Sequence, residues 1–300
     1  MIRNIFLLML SALCAWSCTD NLPGDEAPTD GRHSLNITVG PKPAFTDGTL
    51  TRADGTILPE TRAVQTDEGT KWEEGDVVWL RAKFQDADGT LSTFYSALKY
   101  TGGVWRYLTG DEAAALGVSS YAGFNRTLTY DEPDGSIKYT DVFISATYAG
   151  SGKPDASGRI TFPAPGSSEA VPGMQATAGI SGYLGQPLTL YFTYLCSRLR
   201  IPAGCDDLKV SAYRYCISYG LSTGILDIET APRPVRFPAA GAPRDIYLLP
   251  VADDDGTPSL LTLTRDGSAW SLTPQPVTAY FGLSYTLPSL DPGDVKPGDM

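Results

Sequence analysis

The sequence predicts an all-β fold of antiparallel β-sandwich type, divided between two domains. Composition is the first observation: Gly, Pro and Tyr number 31, 23 and 16 in 300 residues, while long stretches of Ala, Leu, Glu and Lys at helical spacing are nearly absent. The second is the recurrence of Asp-Gly pairs, beginning at Asp30, Asp47, Asp54, Asp88, Asp134, Asp255 and Asp266. A two-residue hairpin turn of type I′ needs φ > 0 at both central positions, which Asp tolerates and Gly adopts freely. The third is where two of these pairs fall. Residues 77–84 and 91–100 flank Asp88-Gly89, and residues 260–264 and 269–272 flank Asp266-Gly267, each run alternating as a half-buried strand does. The apolar content suffices for one large or two modest cores, and two is the expectation.

At the start, Arg3 precedes an apolar run over residues 5–13, and the small residues Ala15 and Ser17 lead to Cys18. About ten apolar residues cannot cross a ~30 Å hydrocarbon core, which needs ~20. Residues 1–17 therefore read as a lipoprotein signal peptide cut ahead of a lipidated Cys18, with outer-membrane anchoring through that lipid. Ala15 stands where an aliphatic residue is favoured and Trp16 is bulky, so cleavage by an ordinary signal peptidase, leaving Cys18 unmodified, is the alternative. Either route takes the chain out of the cytoplasm. Asp20, Asp25 and Glu26 loosely resemble a surface-export signal. The net charge of −11, one unit more negative without Arg3, excludes nucleic acid as a natural partner.

Residues 19–34 are polar and rich in Pro, Gly and acid, the composition of a tether. Leu35, Ile37 and Val39 then alternate with polar residues in an isolated strand that residues 40–43 stop. Residues 44–69 return to Thr, Asp, Gly and Pro and repeat Thr-Arg-Ala at Arg52 and Arg62, a stretch expected to be exposed and open to proteases. A first block over residues 72–183 carries strands near 77–84, 94–100, 104–108, 121–128, 141–148 and 160–162, with one short helix near 111–116 capped by Asp111. Residues 188–201 form the longest strand-like run. Its inward set switches from Leu188, Leu190, Phe192 and Tyr194 to Leu199 and Ile201, which predicts a bulge near Leu195 or Cys196. Further strands are expected at 208–219, 246–251, 260–264, 270–272 and 280–287. The division is thus 1–17 signal, 18–62 tether with strand and processing segment, 63–185 and 186–290 for the two domains, and 291–300 as a polar tail.

The residues argue against catalysis. The one histidine, His33, lies in the polar tether, where no core is expected to orient it as a base or ligand. Paired carboxylates could serve a glycosidase, but no spacing singles out two of the 34 acids. Residues 149–154 resemble a phosphate loop, yet Thr147 replaces the required glycine and Pro154 follows the lysine. Asp253, Asp254 and Asp255 suggest a calcium loop without its first ligand or flanking helices. No metal or cofactor is expected. Cys196, Cys205 and Cys216 allow one disulfide at most: Cys196 with Cys205 across a turn, or Cys205 with Cys216, or three free thiols. Trp72, Trp79, Trp105, Trp270 and the tyrosines could line a glycan-binding surface but sit mostly at alternating strand positions, as core residues do.

The order of lipobox, isolated strand, Thr-Arg-Ala, then Trp72-Glu73-Glu74-Gly75-Asp76-Val77-Val78 resembles the fimbrillin family, the type V pilins and fimbrial accessory proteins of Bacteroidetes. Asp141-Val142-Phe143-Ile144-Ser145-Ala146 stands where that family has an Asp-Leu-hydrophobic-Ala segment. Residues 190–201 look like its Phe-x-His-x-x-(Ser/Ala)-x-Leu-x-Ile strand, with Tyr194 in place of the histidine, and residues 285–287 look like its closing strand. The resemblance implies two transthyretin-like β-sandwich domains in tandem and no enzymatic activity. It also implies export as a lipoprotein, a cut after arginine by a surface protease, and assembly with other fimbrial subunits by strand exchange. On this reading Arg62 is the processing site, with Arg52 the alternative, and Leu35, Ile37 and Val39 fill the groove that a donor strand later occupies. An uncut, lipid-anchored base subunit and a non-fimbrial surface lipoprotein binding glycans are the alternatives, and a host or bacterial surface ligand fits either.

Overall fold

The computed structural model describes residues 31–52, 57, 71–165, 167, 171–201, 203, 207–211, 213–228, 235–238, 242–250, 261–265, 268–275 and 281–287. The N-terminal segment contributes β1 (Ile37–Val39), β2 (Thr46–Asp47) and β3 (Thr49–Arg52). Next come β4 (Val77–Asp86), β5 (Leu91–Thr101), β6 (Val104–Tyr107), helix α1 (Gly110–Ala115), β7 (Tyr139–Tyr148), β8 (Arg159–Thr161) and β9 (Met174–Ser181). The long run then appears as β10 (Leu188–Leu190), β11 (Thr193–Tyr194) and β12 (Ser197–Ile201). The remainder is β13 (Asp207–Val210), β14 (Tyr213–Arg214), β15 (Cys216–Gly220), β16 (Leu226–Ile228), β17 (Val235–Pro238), β18 (Arg244–Pro250), β19 (Leu261–Arg265), β20 (Ser268–Gln275) and β21 (Leu283–Thr286).

The first half is organised by a six-stranded antiparallel sheet, ordered β11-β9-β7-β4-β5-β6. The Asp88-Gly89 pair does mark the β4–β5 turn, but as a three-residue loop over 87–89 rather than a two-residue one: the Gly89 N–H donates to the Asp86 carbonyl at 3.0 Å, the Asp86 N–H to the Thr90 carbonyl at 3.1 Å, and Gly89 sits at φ 89°. Successive residues of a strand point to opposite faces, and here both faces are covered. Val78, Leu80, Ala82 and Phe84 join Ile144, Leu188 and Leu190 in one core, while Trp79, on the other face, packs with Ala97, Ala113, Ile160 and Tyr219. That second face is roofed by α1 and by the small sheet β16-β15-β8. Thr109 caps α1, not Asp111, because Glu112 three residues on returns a bond to the Thr109 backbone and completes a capping box.

The second half is a sandwich of two five-stranded sheets, β14-β18-β12-β21-β2 against β17-β13-β19-β20-β3. Leu199, Ile201, Ile246, Leu248 and Tyr285 of one sheet meet Leu208, Val210, Leu261 and Leu272 of the other.

Several expectations need correction. Residues 188–201 do not form one bulged strand: Leu188, Leu190, Phe192 and Tyr194 serve the first core, and Leu199 and Ile201 the second. The inward set switches because the chain passes from one core to another near Leu195. Residues 208–219 break into β13, β14 and β15, in three different sheets. Residues 121–128 form turns with a single bridge, Tyr95 to Phe124, and β9, unsignalled by its small residues, takes the place by β7. Pairing is also not wholly antiparallel: β1–β10, β12–β21 and β2–β21 run parallel. Hairpin turns force antiparallel neighbours, but segments distant in sequence carry no such constraint.

Candidate functional site

The N-terminal segment crosses from the first core to the second and completes both. Ser34 bridges to Thr129, and the Leu35 N–H donates to the Leu128 carbonyl at 2.8 Å. β1 then pairs with β10 in the register Ile37 to Leu188 and Val39 to Leu190. Leu35 and Ile37 are 2% and 7% exposed in the first core, while Val39 is half-buried at its edge. Of Leu35, Ile37 and Val39, two are thus buried and the third is partly buried.

Beyond Gly40 the expectation of an exposed linker over residues 44–69 fails for its first part. Phe45 and Leu50 are 6% and 4% exposed. Phe45 stacks on Tyr194 with ring centroids 3.8 Å apart, Tyr247 lies 6.2 Å away, and the Arg198 guanidinium sits 4.6 Å over the same ring. Tyr194 also donates its hydroxyl to the Pro43 carbonyl. β2 extends one sheet of the sandwich beside β21, and β3 extends the other beside β20. Gly48 is the point of transfer, where an added Cβ would run into the Tyr285 ring. Leu50 enters the second core between the sheets. Two large apolar residues in a Thr- and Asp-rich stretch, with Thr49-Leu50-Thr51 alternating, are the signal that overall polarity obscured.

Arg198 is unusual. It is 7% exposed, its Nε donates to Ser284 Oγ at 3.0 Å, its Nη1 lies 3.7 Å from Asp245, and its Nη2 has no hydrogen-bond partner. Burial lowers its pKa, with Arg200 adding to the effect and Asp245 opposing it. Burial likewise raises the Tyr194 hydroxyl and pushes Tyr247 up to about 12.

His33 does not hang in a tether. Its backbone N–H donates to Asp131 Oδ1 at 2.7 Å, its Nδ1 meets Asp131 Oδ2, and its ring stacks on Tyr130. Asp131 is buried, so the pair clamps the segment where it enters the first core. A cavity of about 240 Å³ beside the clamp is lined by residues including Phe94, Thr127, Asp131, Lys138 and Tyr139.

Of the other candidates, Cys18, Arg62, Cys205 and residues 253–256 lie outside the described residues. The Arg52 backbone pairs with Leu272 at the end of β3. Cys196 and Cys216 are free thiols. Trp79 and Trp105 are buried, and half-buried Trp72 packs edge-on against Trp105, Tyr148 and Phe192 and donates its indole N–H to the Gly40 carbonyl. These rings fix the exit of β1 and form no flat sugar platform.

No family model matches the sequence, and no curated protein does. Solved structures give loose matches. A proposed cell adhesion protein of Bacteroides fragilis aligns at TM-score 0.35 and 11% identity, over 84% of this chain and 91% of that one. A fimbrial protein of Bacteroides ovatus aligns at 0.37 and 12%, over 85% and 48%. A proposed cell adhesion protein of Bacteroides eggerthii aligns at 0.35 and 9%, over 85% and 84%. The chain is therefore similar in structure, at low identity, to Bacteroides fimbrial and adhesion proteins.

Proposed function

We propose that this chain is a structural or accessory subunit of a cell-surface fimbria. It is exported as a lipoprotein on Cys18 and activated when a cut after Arg62 frees the N-terminal segment for donor-strand exchange. The observation that carries the proposal is the inserted segment itself. It supplies β1, β2 and β3, each beside a strand of another part of the chain, and it buries Leu35, Ile37, Phe45 and Leu50. Burying four such side chains contributes roughly 6–12 kcal/mol as an upper-bound transfer term. Its departure would bare the outer edges of β10, β21 and β20 together with the apolar slots they border. Unpaired edges beside apolar slots are what β-augmentation by another chain satisfies.

Arg62 suits the cut better than Arg52. A protease binds its substrate as an extended chain with free backbone groups, and those of Arg52 belong to the β3–β20 ladder. The partners are other fimbrial subunits and an arginine-specific surface protease, at the outer membrane. The test is the intact mass and N-terminal sequence of protein purified from its native envelope. A lipid-free start at Ala63 is expected. A triacylated Cys18 start in every copy would overturn processing and leave an uncut anchor or a glycan-binding lipoprotein.

A further inference from the structure

We infer that the segment replacing the N-terminal one must bring an aromatic side chain to the slot that Phe45 fills, and that Arg198 is the residue that reads it. This rests on the strand-exchange reading and specifies the partner it requires. The occupant is an extended segment of another subunit, with aliphatic residues where Leu35 and Ile37 lie, an aromatic ring at Phe45, glycine at Gly48 and an aliphatic residue at Leu50.

The two ends of the groove discriminate differently. Around Leu35 and Ile37 the neighbours are apolar residues such as Leu80, Leu188 and Leu190, and any aliphatic chain of suitable size satisfies such a lining. The Phe45 slot is chemically specific. Its wall is the Tyr194 ring, stacked at 12° to Phe45, and its roof is the guanidinium of Arg198. That cation is desolvated, with one N–H group unpartnered and Asp245 only within 3.7 Å of Nη1. The negative face of an aromatic ring stabilises a cation so placed, whereas an aliphatic chain of equal volume removes water from it and returns nothing. With the slot empty, water reaches the guanidinium and the penalty is relieved. An occupant lacking the ring is therefore worse than its apolar area suggests, and rejection of unsuitable segments follows. At Gly48 the Tyr285 ring leaves no room for a side chain, which adds a second steric condition to the same stretch.

The test uses the full chain with a site-specific protease sequence placed within residues 58–66, nicked after folding and titrated with labelled peptides covering residues 33–52. The native peptide should enter the nicked protein. The Phe45→Leu peptide should bind about tenfold or more weakly, and the Ile37→Val peptide within a few-fold of native. In nicked protein carrying Arg198→Met, the gap between the native and Phe45→Leu peptides should shrink several-fold, leaving only what stacking on Tyr194 contributes. Equal binding of native and Phe45→Leu peptides to the unsubstituted protein would overturn the aromatic requirement while leaving strand exchange intact. A preference for Phe undiminished by Arg198→Met would overturn the role of Arg198. Entry of no peptide at all, while the resident segment is shown to leave on nicking, would overturn strand exchange and this inference with it.

Discussion

Leu50→Ala is expected to destabilise the second sandwich selectively, although about 150 residues separate Leu50 from β12, the next strand of that sandwich along the chain. Leu50 lies on β3, is 4% exposed, and packs with Leu208, Val210, Leu261 and Leu272 between the two sheets. Truncating a buried leucine costs the lost transfer energy plus that of the cavity left behind, about 2–5 kcal/mol. For a unit of about 100 residues each kcal/mol lowers Tm by ~4–8 °C, so a loss of roughly 8–40 °C is expected for the transition of the second sandwich. Hydrogen exchange read by mass spectrometry locates the effect. Protection should fall in β13 and β19 and persist in β4 and β7, the central strands of the six-stranded sheet. Ile57→Ala, at an exposed position five residues beyond β3, serves as the control, with a change under about 0.5 kcal/mol. If Leu50→Ala melts like that control and leaves exchange in β13 and β19 unchanged, the N-terminal segment is not part of the second core.

Gly48→Ala should destabilise the second sandwich by about 1–3 kcal/mol in urea denaturation, because its Cβ would strike the buried Tyr285 ring; an effect no larger than that of exposed Asp47→Ala would refute the close approach. Glu112 accepts from Arg106 Nη1 at 2.7 Å and Lys99 Nζ at 2.9 Å, and these bonds, Arg106 foremost, hold its carboxyl well below the usual range. A depressed folded-state pKa gives stability that is present above the unfolded value of ~4.3 and lost as pH falls below it. Glu112→Gln should therefore cost about 1 kcal/mol at pH 7, with the gap to wild type closing below about pH 4, and a pH-independent gap would refute the ionic origin. Burial raises both thiols, Cys216 to about 12 and Cys196 further, so neither should react with an alkylating agent at pH 8 until the chain is denatured. Rapid native labelling, located by peptide mass mapping, would contradict the burial of Cys196 or the raised thiol of half-buried Cys216.

Much of the six-stranded sheet was legible because alternation and turn chemistry are local. Residues 77–84 and 91–100 around Asp88-Gly89 became β4 and β5, and residues 141–148 lie within β7. The β9 strand escaped because Ala176, Ala178 and Gly179 give alternation no contrast. At the functional segment, Leu35, Ile37 and Val39 were visible as an alternating trio. Phe45, Gly48 and Leu50 were not, since single apolar residues among Thr, Asp and Gly read as linker until something is seen to cover them. Alternation places Tyr194 on the inward face with Leu190 and Phe192, but nothing in one-dimensional spacing joins it to Phe45. His33 was misplaced for the same reason, its partner Asp131 being 98 residues away.

By itself the sequence determined the all-β character, the hairpins and the presence of a strand set apart near the N-terminus, because strand period and turn geometry depend on residues within a few positions of one another. Tertiary structure alone decided that this segment pairs in parallel with β10, crosses at Gly48 between the sheets of a second sandwich, and closes both cores. Those outcomes depend on edges left unpaired and slots left unfilled by residues roughly 100 or more positions away, and edges and slots exist only once the sheets have formed.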